Sequence, residues 1–150
     1  MVSKLKIALV AALFIIPALA HKDYSFEPER KEANTRIIEV KKSVSRLAPH
    51  LSDERQMKIA AAIDKNSNKY KIPKKVLLSI IKIESNFKSN AISSTGDYSI
   101  VQINLKIWNK EFARLGLSKI NKKMLVQNDD YAISKMCKIL NIIKSRSPRD

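Results

Sequence analysis

The chain has 150 residues, with 29 Lys and Arg against 14 Asp and Glu, a net charge of +15 and a pI near 10.0. One cysteine excludes an internal disulfide, and one cysteine with two distant histidines, His21 and His50, cannot assemble a metal site; no cofactor is called for. So positive a balance directs the protein towards polyanions, and the length suits one domain with a modest core.

Lys4 and Lys6 precede an unbroken apolar run from Ile7 to Ala20. The run is short of the roughly twenty residues a spanning helix needs, and it ends in the small-x-small sequence Ala18-Leu19-Ala20. Residues 1–20 therefore read as a secretory signal peptide, with no stable membrane span once it is cleaved. No cysteine follows the cleavage site directly, so there is no lipoprotein signal. Removing Lys4 and Lys6 with the leader brings the charge to +13. In an exported protein the polyanion is the cell wall or an anionic membrane face; a nucleic-acid partner is not expected.

Residues 21–51 read as an N-terminal extension. Its first ten residues are polar, and a helix is predicted from about Glu29 to Leu47, with Ile37, Val40, Val44 and Leu47 on one stripe. Packing on the domain is the favoured role for that stripe, ahead of a spacer or a docking surface. Pro49 ends the helix, and Ser52-Asp53-Glu54 supplies a cap and acids for a second helix to about Lys69, with Met57, Ala60, Ala61 and Ile63 as its apolar positions. Tyr70-Lys71-Ile72-Pro73 is a connection, because the residue before proline resists helical geometry.

A third helix is predicted from Pro73, with Val76, Leu77, Ile80 and Ile81 apolar and Lys75, Ser79, Lys82 and Asn86 opposite. Glu84 falls three and four residues after Ile81 and Ile80, so it is expected to project from the apolar stripe. Burial there raises a carboxyl pKa, as a general acid working near neutrality requires. The alternative is a helix-end carboxylate that turns to solvent or pairs with a lysine. Ser89 to Asp97 is a loop rich in Ser, Asn and Gly, where binding groups collect. A helix over Leu105–Leu115 carries Ile107, Trp108, Phe112 and Leu115 and stops at Gly116. A last helix starts near Asn128-Asp129-Asp130 and carries Ile133, Met136, Cys137, Leu140 and Ile143, which makes Cys137 a core residue. No strand is predicted. The fold class is all-α, with residues 52–150 as the main domain.

The run Ile83-Glu84-Ser85-Asn86-Phe87, the loop with Asn90-Ala91, Ser93 and Gly96, and the turn Tyr98-Ser99-Ile100-Val101-Gln102-Ile103-Asn104 together resemble lytic transglycosylases with a goose-lysozyme-like domain. Trp108, Leu115-Gly116-Leu117 and Leu125-Val126-Gln127-Asn128-Asp129 extend the resemblance towards the small members that accompany secretion, conjugation and pilus machines. It covers roughly Ile59 to Ile143. It implies a lysozyme-like helical domain whose substrate is peptidoglycan glycan strands, with an envelope-spanning secretion or conjugation apparatus as a partner. By the same resemblance Glu84 protonates the β-1,4 bond between N-acetylmuramic acid and N-acetylglucosamine. It then acts as base on the muramic 6-hydroxyl and closes a 1,6-anhydro ring. Ser85, Ser93, Tyr98, Gln102 and Asn104 are the implied substrate-binding residues, with Asn104 supporting the cleft wall.

Ordinary glycosidases need two carboxylates, and the motif offers one. Asp97 is the nearest following acid and sits where aspartate commonly forms turns. Two alternatives remain at this point: a muramidase that uses water, and a wall-binding or assembly protein that turns over weakly. Two departures from the family pattern bear on them. Ser99 stands where the family has a glycine, a position that invites positive φ, and the chain carries no Tyr-Asn-Ala-Gly-like segment after its last helix.

Overall fold

A computed structural model describes residues 26–147; the expected signal peptide lies outside them. The described chain forms α1 (Phe26–Leu47), α2 (Asp53–Tyr70), α3 (Lys74–Ser85), β1 (Asp97–Tyr98), β2 (Ile103–Asn104), α4 (Leu105–Arg114), α5 (Lys122–Gln127) and α6 (Asp129–Arg146). It is an all-α architecture with one small hairpin.

The stripe on α1 packs inward. Val40 and Val44 are buried together with Ala48, and Ile37 and Leu47 lie against the same core. Ser45 Oγ donates to Gln56 Oε1 at 2.5 Å, joining α1 to α2. Helix α2 is central, covered by α1 on one side and α6 on the other. Ser52 caps it by accepting from Arg55 N at 3.3 Å. Its buried apolar residues are Ile59, Ala60, Ala62 and Ile63, whereas Met57 is exposed and Ala61 half-buried. That corrects the expected face, and the reason is coverage from two sides: a helix between two neighbours buries a wide arc rather than one stripe.

The same arc takes in polar residues. Asp64 is buried and lies 2.5 Å from Lys74 Nζ on α3 and 3.6 Å from Arg36 Nε on α1. One carboxylate thus faces cations from two other helices, α1 and α3, which a buried charge requires.

Helix α3 begins one residue after Pro73 and turns Leu77, Leu78, Ile81 and Ser85 inward. Val76 is exposed and Ile80 only half-buried. Helix α4 ends at Arg114, followed by Gly116 at φ 66°. On α6, Ile133, Met136 and Cys137 are buried with Ile139, while Ile143, expected inside, is exposed near the helix end. Burial pushes the Cys137 thiol up to about 12, so it is a core group.

The hairpin corrects the expectation of no strand: Asp97 pairs with Asn104 and Tyr98 with Ile103, and Ile92 bridges to Tyr98. Two-residue strands carry no alternation for a sequence pattern to reveal. Helix α5 was also unmarked, being a six-residue turn capped by Asn121.

Candidate active site

Glu84 stands in the last turn of α3, before Asn86 and Phe87, which both adopt left-handed backbone at φ 51° and 65°. It is exposed, contrary to the expected burial. The inward row of α3 is Leu77–Ile81–Ser85, and a helix advances about 100° per residue. Glu84, one residue before Ser85, therefore falls on the flank of that row, where neither α1 nor α2 covers it. Among the described residues it has no ion-pair partner.

The turn that follows is pinned largely by Arg55, Lys82 and Asp129, which lie outside the stretch from Ile83 to Asn104. Arg55 on α2 donates to Phe87 O at 2.9 Å, to Ser89 Oγ at 2.5 Å and to Asp129 Oδ2 at 3.0 Å. Ser89 also donates to the other oxygen of Asp129. Lys82 Nζ holds Asn86 Oδ1 at 2.6 Å and Leu47 O at 3.0 Å. The helix end bearing Glu84 is thereby fixed to α1, α2 and α6. Sequence reading did not single out Arg55 and named Asp129 only at a helix start and in the extended family pattern; their pairing was not legible, because 74 positions separate them.

Ser85 is buried and donates to Ile100 O at 2.7 Å, fastening α3 to the Ser99–Gln102 turn. As folded, its hydroxyl hydrogen is spent on the frame. Gln102, at φ 47°, donates through Nε2 to Ser99 O at 2.8 Å and Ala91 O at 3.1 Å, which closes the turn over the preceding loop. Among the described residues its amide oxygen accepts no hydrogen bond.

Asp97 is the centre of a second knot. It accepts from Thr95 Oγ1 at 2.5 Å, Ser93 Oγ at 2.7 Å and Asn104 Nδ2 at 2.9 Å. Hydrogen bonds from Thr95, then Ser93, then Asn104 hold its carboxyl below the usual aspartate range. Asn104 also caps α4 by accepting from Ile107 N at 3.1 Å. Ser93 and Asn104 thus shape the hairpin from within. Tyr98 is half-exposed, its ring 4.4 Å from Lys122 Nζ, and with Asn104 and Trp108 it lines a groove of about 1040 Å³ between the hairpin and α4. Trp108 serves both core and groove, being half-buried against Phe112 at 6.5 Å.

The folded chain therefore sorts the expected site into three parts: an open carboxylate on a pinned helix end, a turn built on Ser85 and Gln102, and a hairpin knotted by Ser93, Asp97 and Asn104. In comparison with known proteins, the transglycosylase SLT domain matches residues 61–147, more than half of the chain. The chain belongs to the transglycosylase SLT domain family. No curated protein and no solved structure matches it. Membership carries the class of activity, a peptidoglycan lytic transglycosylase, and a lysozyme-like helical domain agrees with the helices described above. The matched segment takes in Glu84, the turn and the hairpin, but begins after Arg55 and leaves out α1.

Proposed function

We propose that this transglycosylase SLT domain protein cleaves the β-1,4 bond between N-acetylmuramic acid and N-acetylglucosamine with Glu84 as acid and then base, and releases 1,6-anhydromuramic ends. The observation that carries the reading is the state of Asp97. Three hydrogen bonds occupy its oxygens and lower its pKa, which makes it a poor base for water. With the nearest acid committed, Glu84 is the motif's free carboxylate, and the muramic 6-hydroxyl is the nucleophile that needs no second one. Gln102 and Tyr98 are the sugar contacts in this reading. Ser85, Ser93 and Asn104 hold the walls that present them.

Digestion of purified peptidoglycan, borohydride reduction and mass analysis test the product. Anhydro ends are lighter by one water, about 18 Da, than hydrolysed ends and take up no hydride, as the departure from the two-carboxylate scheme implies. A digest dominated by reducible muramic ends, lost again in Asp97→Asn, would make the protein a hydrolytic muramidase. Wall binding without any cleavage would make it an assembly protein.

The reading includes export. The leader at residues 1–20 directs the enzyme to the periplasm or envelope, and the resemblance to small machine-associated members supports service to a secretion or conjugation apparatus. Cleavage is expected after Ala20, so terminal sequencing of the exported protein should start at His21.

A further inference from the structure

Helix α2 is 18 residues long, about 27 Å, with Arg55 near its start and Lys69 in its last turn. Arg55 pins the turn after Glu84, so the far ends of α2 and α6 form a pole well away from it. There Lys69, Lys71 and Lys144 line a cavity of about 900 Å³ beside Tyr70 and Asn141, and no acid lines it. None of the three lysines has an ion-pair partner among the described residues. The chain runs on as Lys69-Tyr70-Lys71-Ile72-Pro73-Lys74-Lys75-Val76, and no acid stands between Asp64 and Glu84. Asp64 is buried and already engaged by Lys74 and Arg36. A cation at a helix C-terminus complements the dipole, which accounts for one lysine at the end of α2 and one at the end of α6. It does not account for Lys75, which is exposed in the first turn of α3, where acids are favoured and none is present. Apolar groups reach the surface among these lysines: Pro73 is exposed, Val76 is 43% exposed, and Tyr70 and Ile72 are half-buried.

We propose that this pole docks the exported protein onto an anionic lipid surface, with the lysines on headgroup phosphates and Tyr70, Pro73 and Val76 at the boundary of the apolar layer. The proposal rests on the export part of the proposed function and adds where the exported protein sits. Charge complementarity selects the partner, because lysines beside an anionic bilayer are attracted to its negative surface potential. The interleaved apolar groups select lipid over a soluble phosphate polymer, which would meet the lysines and leave Val76 and Pro73 in water. Tyrosine suits such a boundary, with an apolar ring and a polar tip. A second copy of the chain is a poor occupant, since two poles of like charge repel and each chain carries +15. Docking in this way turns the end of α2 that pins the Glu84 turn away from the lipid, so the open carboxylate faces outward, where a wall polymer lies.

The test is cosedimentation of the exported protein with vesicles of phosphatidylcholine alone and of phosphatidylcholine mixed with phosphatidylglycerol. The native protein should pellet with the mixed vesicles, stay in solution with the neutral ones, and be released as salt is raised. Lys69→Gln/Lys71→Gln/Lys144→Gln should lower partitioning onto the mixed vesicles about a hundredfold, about fivefold for each lysine, and the corresponding arginine triple should retain it. Lys88→Gln/Lys119→Gln/Lys123→Gln removes the same charge outside this pole and should change partitioning by about threefold or less. All six lysines are exposed, so each variant should keep the native circular dichroism. No binding to the mixed vesicles, equal binding to the neutral ones, or an equal loss in the two glutamine triples overturns the proposal. Inorganic polyphosphate that strips the native protein from the vesicles at matched phosphate would assign the pole to a soluble phosphate polymer and overturn it likewise. Vesicle binding is read whether or not the protein cleaves peptidoglycan, and terminal sequencing judges export separately, so failure of docking is distinguishable from failure of the proposed function.

Discussion

Ser99 has no exposed surface and sits at φ 76°, at the turn where the family pattern has glycine. An L-residue in left-handed backbone costs about 1–2 kcal/mol, and glycine avoids most of that. Ser99→Gly should therefore be more stable than Ser99→Ala by about 1 kcal/mol in denaturant unfolding, since the alanine keeps the strained Cβ and loses the contact of Ser99 Oγ with Val101 N at 3.4 Å. Glu84 makes a contrasting case. It is exposed and has no ion-pair partner among the described residues, so Glu84→Gln should alter stability by no more than about 0.5 kcal/mol. Loss of the transferable proton should cut activity by ~10²–10⁴-fold, read by zymography at matched protein levels; undiminished clearing would remove Glu84 from the chemistry.

At the scale of elements, α3 is a short helix whose end is fixed by others. Arg55 from α2 and Asp129 at the start of α6 meet at the Phe87–Ser89 turn, with the Asp129 side chain 15% exposed. Hydrogen bonds to charged, poorly hydrated groups are worth about 1.5–3 kcal/mol, and removing one partner strands the other. Arg55→Ala should destabilise by about 2 kcal/mol. A double-mutant cycle with Asp129→Asn should show a coupling of about 1 kcal/mol or more. Additive effects would mean that the two side chains hold the turn independently. The hairpin belongs to this scale too: two residue pairs do not stabilise a ladder alone, so Asp97 and its three donors keep it closed.

Across the whole molecule, the first and last helices are fastened onto the body. Helix α1 sends Val40 and Val44 into the core and Arg36 towards Asp64, while Arg146 on α6 returns to Glu111 on α4. Hydrogen bonds from Arg114 and then Arg146 hold the Glu111 carboxyl down to about 2, against a usual 4.5. As pH falls, the unfolded chain takes up this proton first. The contribution to stability is complete above about pH 4.5 and is lost progressively down to about pH 2. Asp97, also lowered, acts in the same direction below about 3.8. Glu111→Gln should flatten the fall in stability between pH 4.5 and pH 2, measured by denaturant unfolding at each pH. An identical fall in the variant would show that Glu111 and its two arginines contribute nothing across that window.

What the sequence determined by itself was local or ordered along the chain. The stripe Ile37–Val40–Val44–Leu47, the Ser52 cap, the stop at Gly116 and the start near Asn128 are set by bonds between residues three or four apart, so they can be read without knowing any neighbour. The motif from Glu84 to Asn104 likewise carried the family. Tertiary structure decided which side of α2, α3 and the end of α6 is covered. It turned Glu84 to water instead of the core, exposed Met57 and Ile143, buried Asp64 between two cations and tied Asp97 into the hairpin. Periodicity says that a residue lies on a face, but exposure depends on whether another helix occupies that side. The pairs that settle this, Arg55 with Asp129 and Glu111 with Arg146, lie 74 and 35 residues apart, beyond any local pattern.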